Sequence, residues 1–293
     1  MIHLDFEIGA RAELTDSLVG SAARFFGLGG VTEYKELGGA FNLNVLVHAS
    51  SGVFVIRVYR PWVTEERLNF LHVMKEALIK TGLPIPKPIA WAKGSQLGVH
   101  TGRLIEVEQY VKNDGVADTW RRHEVAFSML GRLHNALAKT VTFSQFVPPK
   151  VHNYALPKEM LKWIEQTQLL IRQSGLGASA EAMRALQLCD EAKELLAILQ
   201  GWWVDTGYRL PKQLVHGDYN GGTNVVFNNE HIVAVLDFDL VDIHERIFDI
   251  AYSLYFAMGS LEYDKPLPNR PWHRVTQIME AYNQNIEHPL TAM

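Results

Sequence analysis

The spacing of apolar residues changes period along the chain and divides it into a strand-rich front and a mainly helical back. Val31 to Leu37, Leu43 to Ala49 and Val53 to Tyr59 are β-rich runs, separated by Gly38-Gly39 and by Ser50-Ser51-Gly52. In the third run, alternation of period two places Val53, Val55, Arg57 and Tyr59 on one face. A cation on an otherwise apolar face needs an anion, which singles out Arg57; a surface arginine on an edge strand is the plainer alternative. Thr64 to Thr81 reads as a helix, ended by Gly82-Leu-Pro-Ile-Pro-Lys-Pro88, since proline fixes φ and discourages helix in the residue before it. Gln96 to His100 and Arg103 to Val111 form a predicted hairpin around Thr101-Gly102.

From Asp118 onward the period is helical. Phe127, Leu130, Leu133, His134 and Leu137 recur at that spacing, then Leu161, Ile164, Leu170 and Ile171, then Met183, Leu186, Leu195, Leu199, Trp202 and Trp203. These stripes are expected to be core, with His134 a hydrogen-bonded core histidine and Trp202-Trp203 a packing pair. Short strands return at Gln213 to His216, Asn224 to Phe227 and Ile232 to Leu236, with Asn228-Asn229 as a turn.

Around those last strands the charge pattern becomes one-sided. Between Leu214 and Ile250 the chain carries Asp218, Glu230, Asp237, Asp239, Asp242, Glu245 and Asp249 against Arg246 alone. Such a cluster repels itself unless a cation complements it. Taken singly, each acid has a plain reading: Asp218 after a glycine as a turn or cap residue, Asp237-Phe-Asp239 as a strand end. Taken together, with an amide at Asn224 between two acidic groups at strand ends, they form the acidic half of a phosphoryl-transfer site. One carboxylate orients a hydroxyl, and an amide with further carboxylates holds magnesium, which prefers hard oxygen ligands.

Leu214-Val-His-Gly-Asp-Tyr-Asn-Gly-Gly-Thr-Asn224 followed by Val235-Leu-Asp-Phe-Asp239 resembles the catalytic and metal-binding loops of the aminoglycoside phosphotransferase and homoserine kinase-like family, relatives of the protein kinases. The resemblance implies a two-lobe, protein kinase-like α+β fold, with residues 1–110 as a β-rich nucleotide-binding lobe and 111–293 as a mainly helical catalytic and substrate-binding lobe. It implies Asp218 as the catalytic aspartate, Asn224 and Asp237 as magnesium ligands, Asp239 as a helper near the second metal, and Asp249 as an acid bracing the loop. The family usually spaces its Asp and Asn by four residues; here Tyr219 to Thr223 intervene. Gly221 and Gly222 are expected to absorb the extra residue at positive φ, and Asn220 is the reserve ligand. Val55-Ile-Arg-Val-Tyr-Arg60 matches the family's third strand, with Arg57 in place of the phosphate-binding lysine. Arginine binds phosphate bidentately without being interchangeable with lysine. Gly38 and Gly39 would cover the phosphates, and backbone groups of Glu108, Tyr110 and Val111 would meet the adenine. A glutamate partner for Arg57 is sought on the following helix, with Glu66 the candidate.

The resemblance therefore implies an ATP- and magnesium-dependent kinase, with GTP as an alternative donor, acting on a hydroxyl of a small molecule: an antibiotic, an amino alcohol, a sugar or a homoserine-like compound. A retired nucleotide-binding module and a protein Ser/Thr kinase are the alternatives. The latter fits less well, because only Leu240 to Phe248 separates Asp239 from Asp249, too little for a peptide-docking loop.

Composition adds three constraints. Residues 1–110 hold 11 acids and 11 bases and the remainder 21 acids and 17 bases, so the net charge of −4 resides in the back half. That favours a cationic substrate and argues against nucleic acid. Cys189 is the single cysteine, which excludes a disulfide framework and a cysteine-based zinc site. No apolar run approaches the roughly 18 residues of a membrane helix, and Met1-Ile-His-Leu-Asp-Phe-Glu7 lacks the basic start of a signal peptide. A cytoplasmic location is expected.

Overall fold

The computed structural model describes residues 10–39, 41–90, 94–140, 146–175 and 179–290. Its contacts divide into two compact units, residues 152–212 and the rest of the described chain.

The larger unit begins with helix α1 (Asp16–Phe26), capped by the Thr15 hydroxyl on the Leu18 N–H and closed by left-handed Gly27. A five-stranded antiparallel sheet follows. Its strands β1 (Val31–Gly38), β2 (Leu43–Ala49), β3 (Gly52–Val58), β4 (Gly98–His100) and β5 (Arg103–Gln109) lie in the order β1-β2-β3-β5-β4. The β-rich runs read from the sequence are these strands, within a residue or two at their ends. Alternation in β3 sends Phe54, Ile56 and Val58 into a core with Leu18, Val19, Ala22 and Phe26 of α1. Arg57 and Tyr59 consequently face the other side of the sheet, where α2 (Glu65–Lys80) contributes Leu68, Leu71, Met74 and Leu78 to a second core. Thr64 caps α2 by accepting the Arg67 N–H.

This second core continues into the rest of the unit. There α3 (Trp120–Thr140) packs against α6 (Ile247–Leu261) and α7 (His273–Asn283), burying Phe127, Leu130 and Leu133 with Ile250, Ile278 and Tyr282. Strands β6 (Gly115–Val116), β8 (Val225–Asn228) and β9 (His231–Val235) form a three-stranded antiparallel sheet, and β7 (Lys212–Val215) pairs with β10 (Asp242–Glu245). Strand β10, Asp242-Ile-His-Glu245, carries three polar residues in four and has no apolar alternation to announce it.

The smaller unit is a helix pair, α4 (Pro157–Gln173) and α5 (Ala180–Asp205). Gln168 joins them, donating to Asp190 at 2.8 Å and accepting from Lys193 at 3.3 Å. Trp202 and Trp203 pack edge to face at 5.7 Å, as a packing pair should. The core stripes predicted for α4 and α5 are corrected: Leu170, Leu195, Leu199 and Trp202 are exposed, and the buried residues of the two helices are Pro157, Gln168 and Leu196. Helical period fixes which side chains share a face, and says nothing about whether that face is covered. Among the described residues no helix is long and apolar enough to cross a membrane.

Candidate active site

The loop leaving β7 is fixed from beneath by Asp249, a fully buried residue in the first turn of α6. Its carboxylate accepts the backbone N–H groups of His216 at 2.7 Å and Gly217 at 2.9 Å, and contacts His134 Nε2 at 3.0 Å. His134 in turn meets the Tyr282 hydroxyl at 2.9 Å, so it is the structural histidine expected. Gly217 has φ 79°, and a Cβ there would lie 1.9 Å from the Leu240 carbonyl oxygen. No other residue fits. His216 Nδ1 accepts the Asp218 N–H at 3.3 Å, which puts its ring proton on Nε2, 2.9 Å from the Leu236 carbonyl.

Asp218 is thereby presented with both carboxylate oxygens engaged. Oδ1 accepts the Tyr252 hydroxyl at 2.6 Å, and Oδ2 accepts Asn224 Nδ2 at 2.9 Å. Burial pushes the Asp218 carboxyl above its ordinary value, and the Tyr252 hydrogen bond pulls the other way. Asn224 Nδ2 also donates to the Asp218 carbonyl at 2.9 Å. Its two amide hydrogens face Asp218, and the oxygen Oδ1 is the end of the side chain suited to a cation.

The lengthened loop is built differently from expectation. Neither Gly221 nor Gly222 has positive φ. The extra residue is taken up by a turn on Asn220, whose Oδ1 accepts the Gly222 N–H at 2.9 Å and whose carbonyl accepts the N–H groups of Thr223 and Asn224. Gly221 is needed for closeness: a Cβ there would stand 2.9 Å from His123 Nδ1. Asn220 thus spends its side-chain oxygen on the backbone, and Asn224 is the amide that reaches Asp218.

Asp237 follows β9 in the left-handed region (φ 59°, ψ 67°), an uncommon conformation for a residue with a side chain. It turns the chain so that Asp237 and Asp239 both reach Arg57, whose Nη2 donates to Asp237 Oδ1 at 3.0 Å and to Asp239 Oδ2 at 2.9 Å. Arg57 is nearly buried, whereas the two aspartate side chains keep 41% and 22% of their surface exposed. Burial pushes the Asp237 carboxyl up, but Arg57 overcomes this and leaves it below its ordinary value. For Asp239 burial prevails over Arg57, helped by the charges of Asp237 and Glu106, and its carboxyl rises to about 7. Two residues invisible in the sequence complete this corner. Asn42 donates to Asp239 Oδ2 and accepts the Arg60 N–H at 3.1 Å. Arg67 of α2 donates to the carbonyls of Asp239 at 3.0 Å and Val241 at 2.7 Å.

The expected glutamate partner is not found: Glu66 is exposed in the first turn of α2, and the acids on Arg57 are Asp237 and Asp239. The helix turns Lys75 and His72 inward in its place, onto Glu106 and Glu108 of β5. Gly38 closes β1, and its carbonyl accepts from Arg11 Nη2 and Asn44 Nδ2, each at 3.2 Å; Gly39 follows it in the turn. The three residues expected at the adenine already carry bonds. Glu108 pairs with Val55 and is bridged to Pro88, the Tyr110 N–H donates to the Val53 carbonyl at 3.0 Å, and the Val111 carbonyl accepts from Asn113 at 2.9 Å.

Residues 33–269 match the family model described as the phosphotransferase enzyme family. The chain belongs to that family. It is 26% identical over 245 residues to a homoserine kinase of Methylobacterium nodulans, covering 83% of this chain and 70% of the relative. Among solved structures it resembles an amicoumacin kinase in complex with AMP-PNP and Ca2+ (TM-score 0.65, 16% identity, 96% of this chain and 79% of that one). It also resembles a microcompartment-associated aminopropanol kinase (TM-score 0.60, 14% identity, 92% and 82%). The α+β protein kinase-like fold and the class of enzyme read from the sequence, a small-molecule phosphotransferase acting on hydroxyl groups, both stand.

Proposed function

We propose that this phosphotransferase moves the terminal phosphoryl group of ATP to a hydroxyl on a small, amine-bearing molecule, with Asp218 as the catalytic residue and Asn224, Asp237 and Asp239 as magnesium ligands. The observation that carries the reading is Asp218 held by Asn224 beside a second carboxylate pair that is bound to a strand cation. The donor set suits the ion: two carboxylates with exposed oxygens and an amide oxygen are hard ligands of the kind magnesium prefers. When bound, magnesium neutralises phosphate charge and orients the phosphates.

This chain's residues do the rest. Asp218 accepts a hydrogen bond from the acceptor hydroxyl and aims its oxygen. As the new bond from that oxygen to the terminal phosphorus forms and the bond from that phosphorus to the bridging oxygen breaks, the hydroxyl proton passes to Asp218 and ADP leaves. Arg57 holds charge on the phosphate side, with Gly38 and Gly39 near the phosphates and residues 108–111 near the base. In this reading residues 1–110 are the nucleotide lobe and 111–293 the catalytic and acceptor lobe. The amine on the acceptor follows from the negative back half of the chain and from the compounds named for its relatives, homoserine and aminopropanol. ATP use, with GTP as the alternative donor, suits an enzyme of the cytoplasm.

The test is ADP release with ATP and a panel of amino alcohols, homoserine and aminoglycosides. Acceptor-dependent turnover should appear, and Asp218→Asn should lower it about a thousandfold with folding intact, as loss of a positioned base does. Near-normal turnover in that variant would remove Asp218 from the role.

A further inference from the structure

Arg57 and Glu106 are directly opposed across β3 and β5, and both side chains are buried. Opposed residues of an antiparallel pair are natural partners, and opposite charges there attract. Yet Arg57 spends its Nη2 on Asp237 and Asp239. Glu106 is supplied from elsewhere: Tyr59 donates to Oε1 at 2.8 Å, Lys75 lies 3.4 Å from the same oxygen, and His72 Nε2 meets Oε2. Lys75 also donates to Glu108 at 2.6 Å. Both glutamates point into the unit, two residues apart on one face of β5, and Lys75 is 5% exposed.

Two buried carboxylates beside one buried guanidinium would compete for it, because an uncompensated buried charge is costly and the attraction is weakly screened. Lys75 removes the competition by occupying Glu106 and Glu108 itself. The usual kinase-like arrangement, a helix carboxylate orienting a strand cation, is thus inverted: a helix cation occupies the strand carboxylates so that the strand cation stays on the aspartates. Resting on the nucleotide site proposed above, we infer that Lys75 is a positioning residue for nucleotide binding, which acts by holding Glu106 and Glu108 away from Arg57 and touches no phosphate itself.

The experiment measures the dissociation constant of MgATP by calorimetry on the full chain in four forms: wild type, Lys75→Met, Glu106→Gln/Glu108→Gln, and the triple variant. Lys75→Met should weaken MgATP binding by about tenfold or more. The triple variant should match the double variant within about twofold, since without the two charges Lys75 has nothing to hold. If Lys75→Met does not fold, the double and triple variants alone decide the matter. A triple variant that binds MgATP about tenfold more weakly than the double would make Lys75 a direct phosphate ligand and overturn the inference. Unchanged affinity in a folded Lys75→Met protein with a lowered melting temperature would overturn it in favour of a purely structural lysine. A wild type that binds no MgATP would instead overturn the nucleotide site itself.

Discussion

Replacing His123 with leucine is expected to flatten the acid side of this protein's stability curve. His123 is fully buried on α3, against Gly221 of the loop that carries Asp218 and Asn224. Burial holds its imidazole down to about 4, with the Ala117 backbone and the Asp118 charge only partly opposing. In the unfolded chain the same ring titrates near 6.5. Between those two values the unfolded state binds the proton and the folded state does not, so stability falls as pH falls. The contribution is intact above 6.5. Linkage makes the loss about 2 kcal/mol by pH 5 and about 3 kcal/mol by pH 4. Leucine fills much of the ring's volume and cannot titrate. Urea unfolding followed by tryptophan fluorescence from pH 7.5 to 5 should show wild type losing about 2 kcal/mol more than His123→Leu. The depressed His134 and Asp249 are common to both proteins and cancel in the comparison. Parallel stability curves in the two proteins would refute a neutral buried His123.

Two further substitutions separate the roles within the loop. Gly217→Ala forces a Cβ into the Leu240 carbonyl at a left-handed φ, so more than about 3 kcal/mol of stability should be lost; a melting temperature within a degree or two of wild type would contradict the geometry. Asn224→Ala should abolish the magnesium-dependent rise in melting temperature with ATP, whereas Asn220→Ala should lower stability by about 1 kcal/mol and keep that rise; the reverse pattern would make Asn220 the ligand.

The order of elements and the candidate catalytic loop were legible because both are local. A β-rich run bounded by glycine and serine turns gave β2 its ends, and the His216-Gly217-Asp218 run announced a loop whose glycine has one permissible identity. What escaped were contacts between distant segments. Asn42 reaches Asp239 across 197 positions, Arg67 reaches it across 172, and nothing near either residue signals the other. Tyr252 is a middle case: it lies one turn after Asp249, which was already read as bracing the loop, so a hydroxyl near Asp218 could have been sought there. Lys75 did leave a signal. It shares the apolar stripe of α2 with Leu68, Leu71 and Leu78, and a cation on such a stripe needs an acid as much as Arg57 does. Charge pairing constrains the presence of a partner and leaves open which element carries which sign.

The same charge argument gives the proposed magnesium site a pH dependence. Asp239 rises to about 7 because burial and the neighbouring Asp237 and Glu106 outweigh Arg57, so near neutrality the aspartate pair binds a proton part of the time. A ligand to a divalent cation must be deprotonated, and binding therefore releases that proton. Deprotonation of a group at 7 rises about tenfold between pH 6 and pH 8, so the affinity for MgADP should rise by about that factor over the same range. Calorimetry of MgADP binding at pH 6, 7 and 8 measures it, with Asp239→Asn as the control. Any titration of the nucleotide is common to both proteins, so the excess pH dependence of wild type reports Asp239 alone. Equal slopes in the two proteins would show that Asp239 is already ionised at pH 6, leaving the single Nη2 of Arg57 sufficient for both carboxylates and no proton for magnesium to displace.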